Sequence, residues 1–458
     1  MNNNPTSYIV PIALILFFFI ALLPFVPVLA WGSYNHQRVV QIGLLSCSFL
    51  LVCLKHAKIN QRYSSAIYFN ALASTFIVFG AVSSLLSSDR AFSLLLLYHY
   101  ILLFGMFIVA QDITSNKSIW SVLLAFNIAF MAITLVSTLN LAFTFIDGNK
   151  LSPFLIYDGF ISIRFFNQVQ AFVLPLLVCC LSFEKYRRVF AGFLFLNCLL
   201  MFIGYGRGIV LTYLVFLFLF AFLNTNMRRE TKLATCILAL AYVAYLGLSY
   251  LAAEHSYKEN VGHLLRVSNY GRLEGWSDLL LDLQSHHFIY GEGLGMYRND
   301  WGSGNLSHPH NSILQILYEW GAVALCLLLA MKMITLKYVV KYLRQAPSDI
   351  TVWTIASMWG CGLGYSMFSG VIVMPIPQTL IFLVWGLLVG RVVPRRIRLV
   401  RFNQVVFNIR CLLIVALIVG FYFYLSGTVK LSSLIDVETV YGIGPRFWEQ
   451  GVRFTDFD

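Results

Sequence analysis

Charge is scarce in this chain: of its 458 residues, 11% are Asp, Glu, Lys or Arg, and only 20 are acidic. With 59% apolar residues and a mean hydropathy of +0.76, it carries more oil than a water-soluble core of this size can hide. Lipid must solvate much of its surface. The short alternating segments of a transmembrane β-barrel are missing, because the apolar runs are continuous. Cysteine is absent from the one long polar segment. All nine (Cys47, Cys53, Cys179, Cys180, Cys198, Cys236, Cys326, Cys361, Cys411) lie in or beside apolar runs, which argues against a disulfide framework and a cysteine-ligated metal. No repeat at solenoid spacing and no low-complexity linker sets off a soluble domain. No basic residue precedes the first apolar run, Tyr8 to Ala30, and the run is longer than the apolar core of a secretory signal, so it reads as a retained first helix.

What the chain does have is apolar runs of the length a bilayer needs, about 20 residues at about 1.5 Å each. They predict spans near 8–30, 38–54, 66–86, 91–111, 119–141, 169–183, 190–204, 208–223, 233–251, 312–330, 352–369, 377–391 and 411–426. The expected fold is all-α, a polytopic transmembrane helical bundle of about 12 or 13 spans. Residues 1–251 form a first bundle, 252–311 a long polar loop with short helices, 312–426 the last spans, and 427–458 a polar tail whose side depends on the span count.

Basic residues fall in alternate loops. One set holds Lys55, Lys58, Arg62, Lys117, Lys185, Arg187, Arg188, Arg228, Arg229, Lys232, Lys332, Lys337, Lys341, Arg344 and the cluster Arg391, Arg395, Arg396, Arg398, Arg401 and Arg410. The positive-inside rule assigns these loops to the cytoplasm and the 252–311 loop to the opposite side. The net charge of +12 is then a topology signal and a contact with anionic membrane lipids rather than a sign of nucleic-acid binding.

Polar chemistry concentrates between Asn260 and Trp320. His310 and Asn311 stand before the span that begins near Ser312, and Gln315 and Glu319 follow Asn311 at helical spacing, on a face suited to line a polar cleft. Alternatively, Asn311 or Ser312 only caps the helix while His310 sits among headgroups. A histidine there is suited to take a proton near neutrality. Arg272 opens a short amphipathic pattern in which Trp276 and Leu279 are expected to rest on the membrane interface; the competing reading is a salt bridge from Arg272 to Glu274 or Asp278. Arg207, in Gly204-Tyr205-Gly206-Arg207-Gly208 between two apolar runs, needs an anionic partner or must snorkel to the surface. Paired arginines at a bundle mouth suit a lipid-linked diphosphate, with Arg164 and Arg266 as secondary candidates. Gly291-Glu292-Gly293-Leu294-Gly295 follows no strand–helix unit and reads as a tight turn, not a nucleotide loop. His286, His287, His308 and His310 form no set at zinc-ligand spacing, so neither metal nor cofactor is expected.

These residues resemble those of the bacterial O-antigen ligase and O-antigen polymerase superfamily of membrane glycosyltransferases. His310-Asn311, followed after nine residues by Gly321, is similar to the family's histidine motif; three residues further on the family carries Gly, Thr or Tyr, and this chain Ala324. Arg207 in GYGRG resembles the arginine before the long loop, and Arg272 in GRLEGW the loop arginine that precedes a tryptophan. The likeness covers about residues 200–325 and rests on hydropathy elsewhere. It implies transfer of an undecaprenyl-diphosphate-linked glycan to a sugar hydroxyl of lipid A–core on the periplasmic face of a Gram-negative inner membrane. In that reaction His310 would be the base, with His308 beside it, and Arg207 and Arg272 would hold the donor. A polymerase would use a second undecaprenyl-linked repeat as acceptor. A transporter of lipid-linked glycans is the non-enzyme rival, although its polar residues would be expected in paired broken helices.

Overall fold

A computed structural model describes residues 6–22, 32–58, 61–65, 67–113, 115–147, 156–157, 160, 163–253, 272–285, 287–297, 308–399, 420 and 447. The helices are α1 Thr6–Leu22, α2 Gly32–Lys58, α3 Ile67–Leu86, α4 Arg90–Ala110, α5 Asn116–Ile146, α6 Ile163–Cys180 and α7 Arg187–Ile203. They continue with α8 Arg207–Leu223, α9 Arg228–Ala253, α10 Arg272–Ser285, α11 Ser312–Gln345, α12 Ile350–Tyr365 and α13 Pro375–Val392. Among the described residues, seven helical segments are long and apolar enough to cross a membrane, and Val10–Leu22, Ala71–Leu86 and Arg207–Leu223 are shorter apolar helices. The chain is an all-α, polytopic membrane protein. Its one sheet among the described residues is a two-stranded ribbon, β1 Gln61–Ser65 antiparallel to β2 Arg395–Leu399, with Tyr63 opposite Ile397.

Successive helices joined by short turns, such as α6 and α7, α7 and α8, or α8 and α9, run antiparallel, so their ends fall on two sides of the bundle. α7 packs on α9, α6 on α12, α3 on α11 and α4 on α13. Core side chains such as Phe126, Phe130, Phe166 and Phe172 are fully enclosed, while Phe218, Phe222 and Val243 on α8 and α9 face outward. Large apolar groups pointing away from the core suit a hydrocarbon solvent.

One end of the bundle is basic. It holds Lys185 between α6 and α7, Arg187 and Arg188 at the start of α7, Arg228 and Arg229 at the start of α9, and Arg391 at the end of α13. At this end Asp349 caps α12 by accepting from the Thr351 and Val352 N–H groups, and it also receives Tyr342 Oη–H at 2.9 Å and Arg391 at 3.1 Å. Sequence hydropathy ended the span before Lys332. The structure instead continues α11 to Gln345, so Lys332, Lys337, Lys341 and Arg344 lie on helix rather than in a loop. At about 1.5 Å per residue, such a helix outruns a hydrocarbon core of about 30 Å. The predicted span 411–426 lies outside the described residues except for Gly420, which packs on Tyr98.

Candidate functional site at the mouth of the bundle

The opposite end gathers most of the chemically capable residues. The turn Gly204-Tyr205-Gly206 closes α7: the Gly204 N–H donates to Leu200 O at 2.8 Å and the Gly206 N–H to Met201 O at 3.2 Å, with Tyr205 in the left-handed region at φ 49°. A Cβ on Gly206 would come within 2.6 Å of Asn167, so the turn sits tightly on α6. Arg207 is thereby set as the first residue of α8, exposed. Arg164 is the second residue of α6, also exposed, and Arg272 is the first residue of α10. Each arginine stands in the first turn of a helix, where the partial positive charge of the helix end disfavours a cation by about 0.3–1 kcal/mol. An anion bound at such a helix start would offset that penalty.

The histidine segment enters α11 from the same end. Asn311 is its N-cap, and its side-chain oxygen accepts from the Ile313 and Leu314 N–H groups at 3.0 and 3.2 Å. The capping geometry is therefore present, while Gln315 and Glu319 are enclosed one and two turns further on. His310 has φ 53°, an uncommon conformation for a residue with a Cβ. It bends the chain after Pro309 so that Asn311 can take its extended capping conformation. The two imidazoles stand edge to face with centroids 4.2 Å apart, His308 5% and His310 8% exposed. The His310 N–H donates to His308 Nδ1 at 3.3 Å, so a neutral His308 carries its proton on Nε2.

Two elements hold this segment. The Trp276 Nε1–H donates to Pro309 O at 2.7 Å, so Trp276 turns toward the histidines rather than resting on the membrane interface. Leu279 is enclosed too, with Leu283 and Tyr297 against Leu314, Leu317 and Tyr318 of α11. The Leu279 and Leu283 face of α10 is thus packed on protein, while Leu273, Leu280 and Leu281 remain exposed, and helical spacing sets Arg272 one turn before Trp276. The turn between α12 and α13 supplies the rest. The Ser312 N–H donates to Ser366 O at 2.9 Å, the Ser312 and Ser366 hydroxyls are 2.8 Å apart, and Gly370 abuts the His308 ring so closely that a Cβ would lie 2.7 Å from Cε1. Gln168 of α6 donates to Ser369 Oγ at 2.8 Å, tying the Arg164 helix to the same turn.

The Gly291–Gly295 loop does more than make a turn. α11 is broken at Gly321, with φ 83° and ψ 172°. In an unbroken helix the Ala322 N–H would donate to Tyr318 O. Here Ala322 N–H donates to Phe288 O at 2.9 Å, and Tyr318 O accepts from the Glu292 N–H at 2.8 Å. Glu319 O accepts from the Gly293 N–H at 3.3 Å and from Ser83 Oγ–H at 2.6 Å. The loop replaces the backbone bonds that the break removes, as irregular backbone inside a membrane protein requires.

Residues 298–307 and 254–271, including Arg266, lie outside the described residues. The sequence reading passed over Gln168, Ser366 and Ser369, whose roles come from contacts across the fold. It also passed over a buried cluster of Arg38, Gln41, His99 and Gln378. Arg38 was the first residue of a predicted span, whereas α2 begins at Gly32 and encloses it. A cation and a histidine inside apolar runs are the signal that would have found it. Among the described residues, no group of three or more His, Cys, Asp or Glu side chains is arranged to hold a metal.

The fold is that of a polytopic membrane protein in which Arg164, Arg207 and Arg272 stand at helix starts and His308 and His310 lead into α11. Residues 192–329 match the family model described as O-antigen ligase, consistent with the O-antigen ligase and polymerase superfamily. The match runs from α7 into α11 and includes Arg207, Arg266, Arg272, His308, His310, Asn311, Gln315 and Glu319, while Arg164 lies before it. No curated protein matches the chain.

Proposed function

We propose that this protein is an O-antigen ligase of a Gram-negative inner membrane, its bundle of 12 or so spans (about 20 residues each) opening its site to the periplasm. The donor is an undecaprenyl-diphosphate-linked glycan and the acceptor a sugar hydroxyl of lipid A–core. What carries the reading is the convergence, within a segment matching the ligase family, of arginine-bearing helix N-termini and a buried histidine pair.

The chemistry follows from those groups. Arg207 and Arg272 hold the diphosphate, with Arg266 and Arg164 as secondary contacts, and offer positive charge where the leaving group gains negative charge. His310 takes the proton of the acceptor hydroxyl as its oxygen bonds to the anomeric carbon and the bond to the diphosphate oxygen breaks. The undecaprenyl diphosphate leaves with the bonding electrons, and in-line attack inverts the anomeric centre. His308 presents Nδ1 to the His310 backbone, which favours His310 as the base. Asn311 supports the segment as the N-cap of α11, and Gln315 and Glu319 from within that helix. No metal or cofactor takes part in this scheme. Ala324, where the family carries Gly, Thr or Tyr, keeps a repeat-unit polymerase as the second reading.

The test is reconstitution in liposomes with undecaprenyl-diphosphate glycan and lipid A–core as the sole acceptor. Glycosylated core with inverted anomeric configuration is expected, at a rate unchanged by exhaustive EDTA treatment. Elongation of lipid-linked repeats with core left untouched would establish the polymerase instead. A loss restored by one divalent metal would remove the metal-free mechanism.

A further inference from the structure

We propose that Arg38 is a positioning residue for this transfer, locking the α12–α13 turn against the histidine segment, and that Phe447 of the C-terminal tail completes the lock. The catalytic consequence rests on the function proposed above; the lock itself does not.

The Arg38 guanidinium is 1% exposed, and each of its five N–H groups has an oxygen acceptor. Nε donates to Phe447 O at 2.9 Å, Nη1 to Gln41 Oε1 at 2.6 Å and Gln378 Oε1 at 2.9 Å, and Nη2 to Tyr34 Oη at 2.9 Å and Val373 O at 2.5 Å. A guanidinium so occupied has no N–H to offer a diphosphate without giving up an existing bond. Arg38 is therefore a different kind of arginine from Arg207. Its acceptors belong to α2, α13, the turn before α13 and the tail, so it joins four parts of the chain at one point. The neighbours repeat the pattern: Gln41 Nε2 donates to Pro375 O at 2.9 Å and Thr379 Oγ1 at 3.0 Å, and His99 Nε2 lies 2.9 Å from Gln378 Oε1.

From Val373 the path to the histidines is short. The Val373 and Met374 N–H groups both donate to Gly370 O, at 2.9 and 3.1 Å, and Gly370 abuts the His308 ring. Ser366, at the start of the same turn, holds Ser312 through backbone and hydroxyl. A shift of the Val373 carbonyl therefore moves the surface on which His308 rests, and His308 receives the His310 N–H. Lysine would keep the charge but has three donors on one atom, too few to satisfy five acceptors around a plane.

Phe447 closes the cluster from the other side. It is 2% exposed, its ring centroid lies 5.0 Å from the Arg38 guanidinium carbon, and the ring meets His99 edge-on at 5.3 Å. It sits beside the start of α13, whereas β2 follows the far, basic end of that helix. Residue 399 thus lies toward the basic end of the bundle and Phe447 toward the end that holds the histidine segment.

The experiment uses the full chain in nanodiscs and asks two independent questions. Ser369, enclosed in the turn, is replaced by Cys and its thiol-labelling rate is measured in otherwise unaltered protein and with Arg38→Lys or Phe447→Ala. Local opening governs labelling of an enclosed thiol. We expect labelling about tenfold faster with Arg38→Lys, and faster with Phe447→Ala, which serves if the Arg38 variant does not fold. Unchanged labelling in both overturns the lock. Steady-state transfer with Arg38→Lys should show kcat lower by about 10- to 100-fold with the donor KM within about threefold, the signature of misplacement rather than lost binding. Asp349→Ala, at the basic end, is the control for simple destabilisation: it should lower the melting temperature while leaving both readouts in place. If the unaltered protein transfers and Arg38→Lys matches its kcat, the positioning role falls alone. If the unaltered protein transfers nothing, the proposed function falls, and the labelling rates still decide the lock.

Discussion

His310 holds its backbone in the left-handed region. A side chain with a Cβ held at φ 53° costs of the order of 1–3 kcal/mol, and such strain persists where surrounding contacts over-determine it. Asn tolerates this region better than Ala, so His310→Asn removes the base while sparing the backbone. We expect it to bind donor but transfer about 10²- to 10⁴-fold more slowly in single-turnover assays. His308→Ala should lose less, because His308 acts through packing against Gly370 and through the His310 N–H. A dead His308→Ala beside an active His310→Asn would move the base to His308. Arg207→Lys and Arg272→Lys should weaken donor capture by about 10- to 100-fold, equivalent to the roughly 1.5–3 kcal/mol of a charged hydrogen bond. Wild-type donor affinity in both would sink the diphosphate assignment.

Among elements, the break in α11 decides most. Gly321 has φ 83°, and a Cβ there would collide with the Ile289 carbonyl. At Gly291, φ 78°, a Cβ would lie within 2.6 Å of the Glu319 carbonyl carbon and the Gly321 nitrogen. The two glycines let two backbones approach closely enough to exchange hydrogen bonds. Gly321→Ala and Gly291→Ala should each lower the melting temperature of the detergent-solubilised protein and depress transfer. The comparison is Gly192→Ala, on the exposed face of α7 with nothing within 4 Å of a new Cβ. It should be neutral or stabilise by about 0.5–1 kcal/mol, since Ala favours helix over Gly. Equal tolerance at Gly321 and Gly192 would mean the loop does not need the break.

For the whole molecule, the basic end offers a pH test remote from the chemistry. Burial pushes the Asp349 carboxyl up, but the hydrogen bonds from Tyr342, Arg391 and the Val352 N–H outweigh it and hold the group below the usual carboxylate range. A depressed folded-state value means that ionised Asp349 contributes stability above the unfolded value, near 3.9, and loses that contribution as pH falls through the lower folded value. The melting-temperature difference between unaltered protein and Asp349→Asn should therefore be full near neutrality and vanish in strong acid. A difference that grows on acidification would reverse the assigned sign. Orientation is tested separately with Ser303→Cys in intact spheroplasts and a membrane-impermeant thiol reagent; labelling only after the inner membrane is opened would put the 252–311 loop in the cytoplasm.

Much of this protein was legible in the order of its residues. Apolar runs of bilayer length marked the helices, because satisfying backbone groups in lipid leaves a long apolar run few alternatives to a helix. The recurrence of Arg and Lys at alternate turns separated the two ends, and the spacing of Arg207, Arg272, His310 and Gly321 pointed to the family. Tertiary structure alone decided which way Trp276 faces, why α11 breaks where it does, and that Arg38 is enclosed. Each depends on partners far along the chain: Pro309 for Trp276, Phe288 and Glu292 for the break, Val373 and Phe447 for Arg38. Periodicity reports which face of a helix is apolar, but it carries no information on which distant oxygen will meet a given N–H, and that pairing exists only once the helices have packed.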